Sequence, residues 1–148
     1  MIRIAICDDE KYMSDHIRAM VSDFFHKKNR EITILRFFCG EELLKYDGQI
    51  DILFLDIQMK EIDGMETARK LRTDKFRGFL IFITVLKEMV FQSFEVQAYD
   101  YLVKPVEKKQ FEKTMERLYD SMQNASEESL LVQKGYESRI IFKDDIVF

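Results

Sequence analysis

Apolar residues in this chain come in short runs that stop abruptly at an acid or a hydroxyl. Ile2 to Cys7 ends in Asp8-Asp9-Glu10, Ile52 to Leu55 ends at Asp56, and Phe79 to Ile83 ends at Thr84. Runs this short and this largely apolar suit strands buried on both faces. Between them the period changes. Ile17, Met20, Val21 and Phe24 recur at helical spacing within residues 11–27, as do Met65, Ala68 and Leu71, and later Phe111, Met115, Leu118 and Met122. Ile32 to Phe38 and Tyr99 to Val103 supply two more strands, and Glu41 to Tyr46 and Glu88 to Val96 two short helices. Strand and helix alternate five times, the pattern of an α/β domain whose parallel sheet carries helices on both faces.

Composition narrows the classes further. The 148 residues can bury one core and at most part of a second. Five Gly and one Pro, set against 13 Phe and six Tyr, exclude collagen-like, low-complexity and disordered chains. No apolar run approaches the ~18 residues of a membrane span, and Asp8, Asp9 and Glu10 leave no room for a signal peptide. A cytoplasmic protein with no membrane insertion is expected. Cys7 and Cys39 form neither a disulfide framework nor a metal-ligand cluster. A net charge of −4 argues against a general nucleic-acid coat.

The C-terminal region reads differently. Asn124 to Ser129 is small, polar and acidic, a linker signature. Leu130–Gln133 and Arg139–Phe142 read as two strands around a turn at Gly135, and Ile146-Val147-Phe148 continues the apolar pattern. Residues 130–148 are too few for a core of their own. The expected division is therefore a domain over 1–122, a linker over 123–129, and over 130–148 the start of a second domain inside which the sequence is cut.

Ligands of open parallel α/β sheets bind at the carboxyl ends of the strands. Here that edge would gather Asp8 and Asp9, Asp56, Thr84, and Lys104 beside Pro105. Adjacent carboxylates repel, and a hard cation relieves them; Mg²⁺ binds through one or two carboxylates and keeps waters and phosphate oxygens for the rest. The lysine adds a point charge for a carboxylate or a phosphate oxygen, and the threonine a hydroxyl. The set suits a phosphoryl group attached to, or approaching, Asp56. Each Asp alone is more readily explained as a helix cap; it is their joint placement that favours the phosphoryl site.

These motifs resemble the receiver domain of two-component response regulators. The likeness covers residues 1 to about 122 and rests on Cys7-Asp8-Asp9-Glu10, Leu53-Phe54-Leu55-Asp56-Ile57-Gln58-Met59, Asp63-Gly64-Met65, Ile83-Thr84 and Tyr101-Leu102-Val103-Lys104-Pro105. It implies a flavodoxin-like, doubly wound five-stranded sheet of order 2-1-3-4-5. It implies Asp56 as phosphoacceptor from a sensor histidine kinase, and Mg²⁺ held by Asp8 (through water), Asp9, Asp56 and the main-chain carbonyl of Gln58. Thr84 and Lys104 would hold phosphoryl oxygens, Tyr101 would be the aromatic switch, and the Lys104–Pro105 bond would be cis. A homodimer through the face of the fourth helix, fifth strand and fifth helix follows from the same switch. Two positions depart from the family pattern: Lys60 stands where Pro is frequent, and Val85, after Thr84, where a small residue is usual.

Leu130 to Gly135 and Arg139 to Ile146 resemble the opening strands of the LytTR-type DNA-binding domain, which implies a transcriptional output acting on DNA. Two other classes fit less well. A phosphatase with an aspartyl-phosphate intermediate commonly carries an Asp two residues after its nucleophile, where this chain has Gln58. A flavodoxin-like cofactor binder needs a phosphate-cradling loop after the first strand, where Asp8-Asp9-Glu10 would repel phosphate. The expected role is a signalling switch, not an enzyme. His16 and His26, ten residues apart on one helix, read as surface residues, Cys7 as an inert core thiol, and Phe91 with Phe94 as richer in apolar surface than sheet-covering requires.

Overall fold

The structure, a computed structural model, describes residues 1–133. Ten elements alternate along them: β1 (Ile2–Cys7), α1 (Lys11–Lys27), β2 (Ile32–Phe37), α2 (Gly40–Lys45), β3 (Ile52–Leu55), α3 (Gly64–Thr73), β4 (Phe79–Thr84), α4 (Val90–Glu95), β5 (Asp100–Val103) and α5 (Lys108–Gln133). The strands form one parallel sheet of order β2-β1-β3-β4-β5. By contact the chain divides into two compact units, Met1–Phe111 with the whole sheet, and Glu112–Phe148.

The short, largely apolar runs are the inner strands. All four residues of β3 are buried, as are Leu80 to Thr84 of β4, whereas β2 at the sheet edge is half-buried throughout. Alternate residues serve opposite faces. Ala5, Cys7, Leu53, Leu55, Leu80 and Phe82 pack with Leu43 of α2 and with Met65 and Ala68 of α3. On the other face Phe54 meets Phe111, with ring centroids 5.8 Å apart, and α1 buries Ile17, Val21, Phe24 and Phe25. Burial of each Leu, Ile, Val, Phe or Met among these contributes about 1.5–3 kcal/mol.

Register carries the fold to function. Cys7 lies beside Leu55, and Leu55 beside Phe82. Asp8 and Asp56 therefore leave neighbouring strands side by side, with the Asp56 N–H donating to the Cys7 carbonyl at 3.0 Å.

Two expectations need correction. α4 covers only Val90–Glu95 rather than Glu88 to Val96, because Met89 provides no side-chain cap at its start and Gln97 turns left-handed just past its end. More substantially, α5 runs on through 123–129, read as a linker, and through Leu130–Gln133, read as a strand. Asn124 to Ser129 contains neither Gly nor Pro, and extending a formed helix by one hydrogen bond per residue is far easier than starting one. The expected turn at Gly135 and strand at Arg139–Phe142 lie outside the described residues.

Candidate functional site

β1 and β3 deliver their acids to one point. One carboxylate oxygen each from Asp8, Asp9 and Asp56 lie within 4.8 Å of one another. Asp8 and Asp56 are buried, at 1% and 4% exposure, and Asp9 is half-buried. Local hydrogen bonds fix each carboxylate. Asp8 Oδ1 accepts from the Glu10 N–H at 2.9 Å, Asp56 Oδ1 from the Gln58 N–H at 3.1 Å, and Asp9 Oδ2 from the Lys60 N–H at 3.3 Å.

Lys104, at the end of β5, reaches across the sheet edge. Its Nζ donates to Asp8 Oδ2 at 2.9 Å and to Asp56 Oδ2 at 3.0 Å, with Glu10 Oε1 at 3.7 Å. The Lys104–Pro105 peptide is cis. Burial works against the ammonium, but the hydrogen bond to Asp8 and the charge of Asp56 outweigh it and hold the Lys104 pKa above its ordinary value. Burial likewise raises the Asp8 pKa, with the like charge of Asp56 adding to it against the Glu10 N–H and Lys104. Lys104 offsets one of the three neighbouring carboxylates, and the charge that remains matches a divalent cation. Oxygen donors of this kind fit Mg²⁺.

Thr84 is fully buried, and its Oγ1 accepts from the Leu86 N–H at 3.3 Å. The Tyr101 hydroxyl donates to the carbonyl of the same Leu86, and burial raises the tyrosine pKa. Thr84 and Tyr101 thus hold one short segment between β4 and α4. Val85 beside it is exposed.

Two neighbours of the site stand in the sequence motifs above but carry no role assigned there. Gly64 starts α3 directly over Asp56, and a Cβ there would collide with the Asp56 carbonyl oxygen; the one signal was a glycine following the α3 cap, Asp63. Glu10 stands near Lys104, and its signal was the third acid in a row. Cys7 is buried with its Sγ 3.5 Å from the Cys39 carbonyl and 3.8 Å from Met59 Sδ, and burial pushes its thiol pKa well up. Both thiols are free. His16 and His26 are exposed on α1.

Comparison with known proteins bears directly on this arrangement. Residues 4–116 match the response regulator receiver domain family. The chain belongs to that family. It is 34% identical over 125 residues to the transcriptional regulatory protein BtsR of Escherichia coli, covering 80% of this chain and 48% of that protein. It is 28% identical over 130 residues to the sensory transduction protein LytT of Bacillus cereus, covering 86% and 51%. The chain thus spans about half the length of the curated relatives it matches. Among solved structures, the response regulatory domain of mrkE from Klebsiella pneumoniae superposes with a TM-score of 0.75 at 24% identity, covering 83% of this chain and 99% of that one, and shows the same fold. The response regulator TrrA of Thermotoga maritima, solved in complex with Mg²⁺–BeF, matches with a TM-score of 0.63 at 28% identity, covering 80% and 99%. No helix among the described residues is long and apolar enough to cross a membrane.

Proposed function

We propose that Asp56 accepts a phosphoryl group from a phosphohistidine on a partner sensor histidine kinase, and that the resulting rearrangement controls a transcriptional output. The observation that carries this is the Lys104 ammonium bridging Asp8 and Asp56, 2.9 and 3.0 Å away, with Asp9 completing the carboxylate group. Gln58 N–H and Lys104 hold the two oxygens of Asp56, so the carboxylate is fixed before a phosphoryl donor arrives. An Asp56 oxygen attacks phosphorus, the phosphorus–nitrogen bond breaks, and the imidazole leaves with its electron pair. Lys104 can then follow the charge from carboxylate to phosphoryl oxygen, and Thr84 can donate its hydroxyl hydrogen to another.

Asp8, Asp9, Asp56 and the Gln58 carbonyl are the groups that would hold Mg²⁺. When bound, that ion neutralises charge on the phosphoryl oxygens. The complex of TrrA with Mg²⁺–BeF supports the assignment by analogy. Transfer of Thr84 to the phosphoryl group would loosen Leu86 and let Tyr101 reorient, which reshapes the surface of α4 and β5 for a second copy of the chain. The output is proposed as a DNA-binding domain of LytTR type, supported by the tail resemblance, by LytT among the relatives, and by the description of BtsR as a transcriptional regulator. A cytoplasmic setting accords with such a kinase and output.

Intact-protein mass spectrometry with acetyl phosphate and Mg²⁺ tests the acceptor. The wild type should gain one phosphoryl mass and Asp56→Asn none; equal labelling of the two would overturn the reading.

A further inference from the structure

α4 has only six residues, yet its two ends are held in different ways. At the C-terminal end Gln97 takes a left-handed φ of 55°. The Gln97 and Ala98 N–H groups donate to Phe94 O and Ser93 O, each at 3.1 Å, which is a Schellman closure. Arg72, in the last turn of α3, is laid onto that closure. Its Nε donates to Val96 O at 2.7 Å and its Nη2 to Gln97 O at 3.0 Å, while Nη1 serves Phe76 O at 2.9 Å and Gly78 O at 3.0 Å. The guanidinium also lies 5.0 Å from the centre of the Phe76 ring. All four acceptors are main-chain carbonyls, and two of them close α4, where a cation is favoured. Burial and the nearby charge of Arg77 lower the Arg72 pKa, but a guanidinium stays charged in any case.

The N-terminal end is held instead by side chains of the site, with the Tyr101 hydroxyl beside the Met89 main chain. Met89 offers no side-chain cap, and the segment before it is tied to Thr84 and Tyr101 through Leu86. These are the two side chains whose partners change on phosphorylation in the reading above, on which the following inference rests.

We infer that Arg72 is a positioning residue that pins the C-terminal end of α4, so that phosphorylation swings the helix about Val96–Ala98 instead of displacing it whole. At 1.5 Å per residue, Phe91 stands about 7.5 Å from Val96 along the axis and Phe94 about 3 Å. A pivot there moves Phe91 more than twice as far as Phe94. The pin sets the direction of the motion and Thr84 with Tyr101 set its trigger.

Residue-resolved amide exchange by NMR on the full chain, with and without Mg²⁺ and beryllofluoride, tests this. In the wild type the amides of Leu86 to Val90 should change, and those of Val96 to Ala98 should stay within about twofold. In Arg72→Met the Gln97 and Ala98 amides should exchange at least about tenfold faster, on the scale of one lost charge-assisted hydrogen bond, and the response to the anion should spread to Ser93–Ala98. Arg72→Lys keeps the charge but not the fork and should follow Arg72→Met, so it serves if the methionine variant does not fold. A wild-type response equal at both ends of α4 overturns the pivot alone. So does a response in the variants that stays confined to Leu86–Val90, which would make Arg72 a brace with no part in the motion. A wild type blind to the anion overturns the phosphoacceptor reading, and the pivot with it.

Discussion

Val85 follows the fully buried Thr84 but is itself 53% exposed, so core packing does not account for its branched side chain. Its χ1 is stiff, and it cannot readily swing aside. Hydrolysis of a phosphorylated Asp56 needs a water in line with the bond to phosphorus, and misplacing a reactant can cost about 10²-fold in rate. Val85→Ala should therefore lose its phosphoryl group faster, by roughly tenfold, with Mg²⁺ affinity unchanged. Phosphoryl decay followed by intact mass in both proteins checks this; matching rates would mean that Val85 does not gate the site. At this scale the carboxylate group and Lys104 were legible in the sequence, because each ends a strand and parallel register gathers strand ends on one edge. Arg72 was not legible. Its partners are carbonyls of Phe76, Gly78, Val96 and Gln97, and a main-chain oxygen leaves no trace in residue type.

Element order was readable throughout because hydrophobic period separates strand from helix even in short segments. Element ends were less so. The end of α4 depends on Gln97 adopting φ of 55°, a conformation that glycine or asparagine would have signalled and glutamine does not. α5 outran its expected end because Asn-Ala-Ser-Glu-Glu-Ser is polar without being a breaker; polarity marks exposure, and an exposed helix is as polar as a loop. Within α5, Met115 and Leu118 are buried, whereas Gln123, Asn124 and Ala125 are exposed. A chain of residues 1–122 should accordingly keep its melting temperature within about 3 °C of the full chain, less than 1 kcal/mol for a domain of this size. Calorimetry of the two chains decides. A fall of more than about 8 °C would assign the last helical turns and the tail to the stability of the receiver.

For the molecule as a whole, α4 shows an exposed apolar surface that nothing in the chain covers among the described residues. Phe91 is 81% exposed, Phe94 69% and Val90 36%. A two-fold pair presents the same patch twice, and two phenylalanines from each copy would remove about 500–600 Å² from water on the scale of aromatic burial. A stable interface needs about 1,200 Å² or more. The patch is thus too small to hold a dimer unaided, yet large enough to decide one once the surrounding surface fits. That is the condition for a switch. A modest change in the position of α4 brings polar neighbours into or out of register, while the aromatic anchors supply most of the affinity in either case. Sedimentation equilibrium should accordingly find monomer without Mg²⁺ and beryllofluoride, and a dimer at least about tenfold tighter with them. Phe91→Ala combined with Phe94→Ala should return the activated protein to monomer, at a cost of about 2 kcal/mol or more, while leaving phosphorylation of Asp56 intact. The last condition matters most, since a double variant that also lost phosphorylation would have lost the site and not the face. A wild type monomeric in both states, at concentrations where Asp56 is fully occupied, would assign the exposed aromatics to a partner other than a second copy.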